Sequence, residues 1–280
     1  MGVSDYMCEL LAISSEEPIK TNKYLKTFYN HSKHHPHGWG LAVKDKNKYI
    51  IEKEPQKAND SIKLKEMLEK DILTDNLIAH IRLATLGNMV IENCHPFFKK
   101  DNLGRTWLLM HNGTIFDGEK LEKYKKIQEG ESDSERILLY IIDQINHTKS
   151  HSSTELLKLL DNLITNLAKN NKLNIMLLCN DLIIVHANYK NSLYYLKKPK
   201  TLLVSTKALS DEKWQLLEIN KIIGFKKGKI IYKGQRHDNE YKITRENFQF
   251  IINNMTPELK DKIKEDFGDL NYFEEYIVSD

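Results

Sequence analysis

Four short stretches set reactive or hydrogen-bonding side chains beside apolar runs. They are "MCELL" with Cys8, "IAHIRLAT" with His80, Arg82 and Thr85, "MHNGTI" with Asn112 and Gly113, and "ESDSERIL" with Asp133. Together they hold the parts of an acyl-transfer site: a nucleophile, donors for an oxyanion and charged anchors for a substrate. A thiol needs a base. A cysteine that heads its chain carries one, because an α-amine with a pKa of about 7.7–8.0 is partly unprotonated near neutrality. By itself, a cysteine at the start of an apolar run is more often a core residue. Met7 stands directly before Cys8; were Cys8 to head the working chain, its thiol and a free amine would stand side by side. Residues 1–7 would then be an upstream start or a leader that is removed.

The other three stretches each have two readings. The Asn112 carboxamide and the Gly113 amide can point at one oxyanion, yet Asn-Gly is also a turn signal. Arg82 lies in a run apolar enough to be buried, so it needs a partner. That partner is a substrate carboxylate gripped by its fork, or an internal ion pair. Asp133 opens a helix, where a carboxylate is at home; its alternative task is to hold a substrate ammonium. The histidines raise a rival chemistry. His31, His34, His35 and His37 cluster in "HSKHHPHGWG", and Cys94 and His95 follow in "NCHPF". Imidazole and thiolate ligands suit zinc, but the spacing matches no compact ligand motif and Pro36 interrupts the tract. A solvated loop, with no metal, is the preferred reading.

The elements that must position these groups follow from periodicity. Strands are expected at residues 7–14, 38–45, 48–55, 76–85 and 105–115, then as a meander over 173–208 and a hairpin over 221–235. Helices are expected over 18–31, 59–72, 118–128, 132–145 and 153–169. From about Tyr241 the chain turns polar and helical, with Thr256-Pro257 a helix start. Several neighbouring strands are joined by turns too short for a parallel crossover, so the class is α+β with mainly antiparallel sheets.

Composition bounds the rest. The 280 residues are 40% hydrophobic and 29% charged, which supports a packed core. A net charge of +3 gives no argument for nucleic acid or a membrane surface. No apolar run approaches the ~18 residues of a membrane span. The three cysteines, Cys8, Cys94 and Cys179, form no CxxC pair, which points to a reducing compartment and a cytoplasmic location.

Taken in order, Cys8, "HGWGLA", "AHIRLAT", "NCHPF", "HNGTI" and "SDSE" resemble the class II glutamine amidotransferases, N-terminal-nucleophile (Ntn) amidohydrolases, and among them the stand-alone members. The resemblance runs from Cys8 to about Leu139, with a weaker echo in "LLVSTKAL" and "WQLLE". It implies a four-layer αββα sandwich over residues 8–240, followed by a helical extension over 241–280. It also implies roles. Cys8 is the nucleophile that heads the working chain, freed of residues 1–7, and Asn112 and Gly113 are the oxyanion donors. Arg82, with Thr85 beside it, takes the glutamine α-carboxylate, and Asp133 takes the α-ammonium. His80 and His95 support the shape of the site. The implied reaction cleaves the side-chain amide of glutamine or a γ-glutamyl compound through a thioester, without a cofactor. An ammonia-accepting enzyme is one partner the family suggests; an idle binding or regulatory protein is the alternative to any chemistry. Two departures stand out. His37 occupies the place before "GWG" where family members often have aspartate. Leu83 and Leu86 stand where synthase-linked members have Trp and His.

Overall fold

The computed structural model describes residues 8–46, 48–148 and 152–269. Its first strand, β1 (Glu9–Lys20), alternates strictly in its first half: Leu10 and Ala12 face one core, Leu11 and Ile13 another. A strand buried on both faces must lie inside a layered structure. The chain continues through α1 (Asn22–Asn30), β2 (Trp39–Asp45), β3 (Lys48–Glu54), α2 (Ile62–Glu69) and β4 (Leu73–Ile81). Next come β5 (Phe97–Lys100), β6 (Thr106–Thr114), α3 (Asp133–His147), α4 (Ser153–Ala168), β7 (Lys172–Cys179) and β8 (Leu182–Ala187). The last elements are β9 (Tyr194–Lys197), β10 (Thr201–Ser205), β11 (Gln215–Leu216), β12 (Lys221–Lys226), β13 (Lys229–Lys233), α5 (Arg245–Asn254) and α6 (Pro257–Phe267).

Two sheets result, in the orders β11-β9-β10-β1-β4-β2-β3 and β13-β12-β8-β7-β6-β5. Neighbouring strands pair antiparallel throughout. Between the sheets lie Leu10, Ala12, Ile78, Leu108, Met110, Met176 and Val185. The outer face of the first sheet packs Leu11, Leu77 and Ala79 against Tyr24, Leu25 and Phe28 of α1 and Leu64 of α2. The outer face of the second packs Leu109, Ile175 and Leu177 against Ile137, Ile141, Leu160 and Ile164 of α3 and α4. Three cores therefore separate four layers, and the fold is the αββα sandwich that the sequence implies.

The differences from the sequence reading are local and have physical causes. The helix expected over 18–31 starts only at Asn22, because β1 runs on through Pro18 to Lys20 after a register shift between Ser14 and Ile19. The apolar periodicity that suggested a longer helix belongs to α1 alone. Residues 119–126 wind as a 3-10 helix rather than an α-helix. The meander divides, since β7 and β8 pair in one sheet while β9 and β10 pair in the other. Period-2 alternation marks a strand but not which sheet receives it. The helix starts are capped: Ser61, Ser132, Thr244 and Thr256 each accept from a backbone N–H of the first turn, as Thr256-Pro257 suggested for the last.

Candidate active site

β1 begins where β4 ends, with Glu9 opposite Ile81, and β7 begins where β6 ends, with Lys172 opposite Thr114. These strand ends gather Cys8, Arg82, Asn112 and Lys172 at one end of the sandwich. Along β1 the Cys8 side chain shares the inter-sheet face with Leu10 and Ala12. Its Sγ accepts from the Leu83 N–H at 3.3 Å, and its S–H is 3.3 Å from the Leu83 carbonyl oxygen. Burial pushes the thiol pKa up, opposed by the Leu83 hydrogen bond and by the charges of Arg82 and Lys172. The thiol therefore needs a base to become a nucleophile.

Asn112 is on the inter-sheet face of β6, in register with Leu108 and Met110. The "HNG" segment is strand, not the turn that Asn-Gly also allows. Asn112 Oδ1 accepts from Lys172 Nζ at 3.3 Å, while Asn112 Nδ2 is buried and has no hydrogen-bond partner. A buried donor left so costs about 1–3 kcal/mol, a cost that an arriving acceptor would remove. Gly113 is fixed by close approach: a Cβ there would lie 2.0 Å from the Lys172 carbonyl oxygen and 2.4 Å from His111 Nε2. His111 faces the other way. Its Nε2 lies 3.1 Å from the Lys172 carbonyl oxygen and its Nδ1 3.0 Å from Ser134 Oγ at the start of α3. The carbonyl can only accept, so Nε2 carries the proton; the Ser134 hydroxyl lies between His111 Nδ1 and Asp133 Oδ1, the latter at 3.3 Å.

Arg82 follows β4 and is almost wholly buried. Its guanidinium donates to the carbonyl oxygens of Leu86 (2.9 Å), Gly87 (2.9 Å) and Asn88 (3.0 Å). Among the described residues Arg82 makes no ion pair; three carbonyls hold it, and they curl residues 83–88 around its head. Thr85 sits half-buried in that loop. Asp133 occupies the first turn of α3, and its Oδ2 accepts from the Ile115 N–H at 2.8 Å just past β6. It therefore ties α3 to the end of β6, and that tie alone gives its burial a structural reason.

His80 and His95 stack with ring centres 4.1 Å apart between the sheets. His80 Nε2 donates to the His111 carbonyl oxygen at 3.3 Å, a hydrogen bond from one sheet to the other beneath Asn112. Burial drives the His80 pKa down to about 3 and that of His95 well below the usual imidazole value, so both rings are neutral. The remaining histidines scatter: His31 pairs with Glu9, and the His35 ring bonds the His31 carbonyl. Among the described residues no three His, Cys, Asp or Glu side chains are placed to hold a metal ion.

Two features escaped the sequence reading. Lys172 is one; the signal was a charged residue heading the otherwise apolar strand "KLNIMLLC". The other is the reach of the carboxyl-terminal helices. His37 Nδ1 accepts from the Ala84 N–H at 2.9 Å, and its Nε2 donates to Asp266 of α6 at 3.1 Å. Met255, Leu259 and Ile263 pack on Ala84, and Thr256 bonds Asn88. The extension thus covers the outside of the Arg82 loop, and the unusual His37 is the joint between them. Burial takes the His37 pKa down to about 4, even with Asp266 beside it.

An αββα sandwich with a cysteine at the head of a central strand is the architecture of the Ntn amidotransferases. The structure superimposes on the glutamine phosphoribosylpyrophosphate amidotransferase of Bacillus subtilis with a TM-score of 0.62 at 16% identity, covering 82% of this chain and 49% of that one. It superimposes on a predicted glutamine amidotransferase from Pseudomonas aeruginosa with a TM-score of 0.58 at 18% identity, covering 81% of this chain and all of that one. At these identities the likeness is one of fold. The sequence adds the family: the model for class II glutamine amidotransferases matches residues 7–201, and the chain belongs to that family. An uncharacterised protein of Methanocaldococcus jannaschii is 27% identical over 267 residues, 85% of this chain and 75% of that protein. The two carboxyl-terminal helices lie outside the family match. Among the described residues no helix is long and apolar enough to cross a membrane.

Proposed function

We propose that the protein is an amidohydrolase that cleaves the side-chain amide of glutamine or of a γ-glutamyl amide, working as a chain headed by Cys8. One observation carries the reading: the Cys8 thiol and the buried, unpartnered Asn112 Nδ2 stand at neighbouring strand ends of a class II amidotransferase fold. Among the described residues no histidine ring hydrogen-bonds to Cys8 Sγ, so the α-amine of Cys8 is the proposed base. Residues 1–7, whose removal frees that amine, lie outside the described residues.

In this scheme the amine takes the thiol proton and the sulfur adds to the amide carbon. Asn112 Nδ2 and the Gly113 amide hold the oxyanion. The carbon–nitrogen bond then breaks, the leaving nitrogen takes the proton, and ammonia or an amine departs. Water adds to the thioester, the carbon–sulfur bond breaks, and glutamate and the thiol are restored. Arg82 and Thr85 bind the α-carboxylate and Asp133 the α-ammonium; the ammonia either diffuses away or passes to a partner enzyme.

The test is a release assay on Cys8-headed protein with L-glutamine and a panel of γ-glutamyl amides, followed through glutamate. Glutamate release that is lost in Cys8→Ser is the expected result, and the best amide in the panel identifies the substrate. No release from any of them, with a correctly folded protein, would leave a binding or regulatory role instead.

A further inference from the structure

We infer that Lys172 is a positioning residue of the oxyanion site: its ammonium holds Asn112 Oδ1 and so leaves Asn112 Nδ2 as the edge that meets the oxyanion. The inference rests on the proposed function and adds to it a residue that neither the sequence motifs nor the proposed scheme contains.

A carboxamide has two edges of opposite polarity, and nothing in its own shape says which one faces the pocket. Asn112 would be useless with its oxygen toward a developing negative charge. As an ammonium, lysine decides the matter, because it then has three donors and no acceptor. With Nζ 3.3 Å away, only the oxygen edge can face it, and the flipped amide would set donor against donor. Lys172 is itself held at both ends. Its carbonyl accepts from His111 Nε2 and lies where a side chain at residue 113 would stand, so β6 and β7 are locked at closest approach. Its Nζ lies 5.3 Å from the centre of the Tyr189 ring. The pairing of Asn112 with Asn174 and of Thr114 with Lys172 then sets the ammonium and the carboxamide on one sheet face, two residues apart in register.

Its charge follows the reaction. Burial pulls Lys172 down to about 7, and the negative charge of a Cys8 thiolate pulls it back up. Each negative charge that forms in the pocket, on sulfur or on the oxyanion, thus favours the ammonium that orients the carboxamide.

The experiment is a double-mutant cycle on Cys8-headed protein, using L-glutamine and γ-glutamyl-p-nitroanilide. Loss of an oxyanion donor typically lowers turnover by about 10²–10³-fold, so Asn112→Ala is expected in that range. Lys172→Met should lower kcat by roughly tenfold or more, with KM within about threefold of wild type, since the loss is confined to the transition state. Because Lys172 acts through Asn112, the double variant should be no more than about threefold slower than Asn112→Ala alone. Lys172→Gln keeps an N–H donor; it should be faster than Lys172→Met, and it replaces Met in the cycle if the Met variant does not fold by circular dichroism. Near-normal kcat in the single variant, a KM that rises as much as kcat falls, or fully additive losses in the cycle each overturn the inference. If wild type hydrolyses neither substrate, the proposed function falls and takes this inference with it. If wild type is active and only the cycle fails, the inference alone falls.

Discussion

Gly113→Ala is the perturbation whose size the structure fixes most narrowly. The new Cβ would stand 2.0 Å from the Lys172 carbonyl oxygen and 2.4 Å from His111 Nε2. Side-chain carbons do not approach backbone oxygens within 3.0 Å, so β6 and β7 must part by about 1 Å. Neither obstacle is a flexible side-chain end. The carbonyl belongs to a central strand, and the ring is fixed by its bonds to that carbonyl and to Ser134. Overpacking of this kind costs about 1–3 kcal/mol, and losing the His111–Lys172 hydrogen bond adds about 1 kcal/mol. The sum, roughly 2–4 kcal/mol, corresponds to a fall in Tm of about 5–15 °C for a domain of this size. A 1 Å displacement of β6, the strand proposed to carry the oxyanion donors, should also reduce turnover by about 10²-fold. The assays are thermal unfolding by circular dichroism and glutamate release. Gly118→Ala is the control, because its Cβ meets only the Ile115 side chain, at 3.2 Å. A Gly113→Ala protein with wild-type Tm and turnover would refute the close-approach argument and the strand geometry with it.

Arg82→Lys keeps the charge but loses the planar guanidinium fork that fans out to the three carbonyls, so the 83–88 loop should loosen and KM for glutamine should rise at least about tenfold. Faster amide exchange in residues 83–90 together with the higher KM is the expected pair of results; an unchanged KM would make Arg82 purely structural. His37 gives a pH test. Its imidazole takes a proton below about 6.5 in the unfolded chain but only below about 4 in the folded one, so its share of stability falls as pH drops through that window. The shift amounts to about 3 kcal/mol between pH 7 and pH 4. His37→Asn keeps an acceptor for the Ala84 N–H, so its stability in urea should fall less between pH 7 and pH 4.5 than that of wild type. Equal falls would show that His37 is not a source of the acid loss; His80 and His95, depressed in the same direction, remain in both proteins.

The parts of this molecule that were legible in the sequence are those governed by local rules. The apolar runs "CELLAIS" and "NLIAHI" mark buried strands, Thr256-Pro257 marks a helix start, and the order of short motifs carries the family. The fold follows from these because two sheets, each needing cover on both faces, and amphipathic helices have few ways to pack together. What was hidden depends on contacts between distant segments. Pro18 reads as a helix start, yet it lies in the outer part of a strand that reaches Lys20. Asn112-Gly113 reads as a turn, yet glycine is needed there for a strand passing within 2.0 Å of where a side chain would stand. Asp266 gives no local sign that it ends on His37, which is 229 positions away. Lys172 was the missed opportunity, since a lysine at the head of a buried strand must find a partner.

The central claim is that sulfur and a free amino nitrogen on the same residue do the chemistry. The most direct measurement is intact mass spectrometry of the protein before and after treatment with a glutamine-like diazo-ketone, on chains headed by Cys8 and on chains that retain residues 1–7. The account predicts one adduct, located at Cys8, and only on the Cys8-headed chain, with glutamate release abolished in step. Equal labelling and equal turnover by the chain that retains residues 1–7 would contradict it.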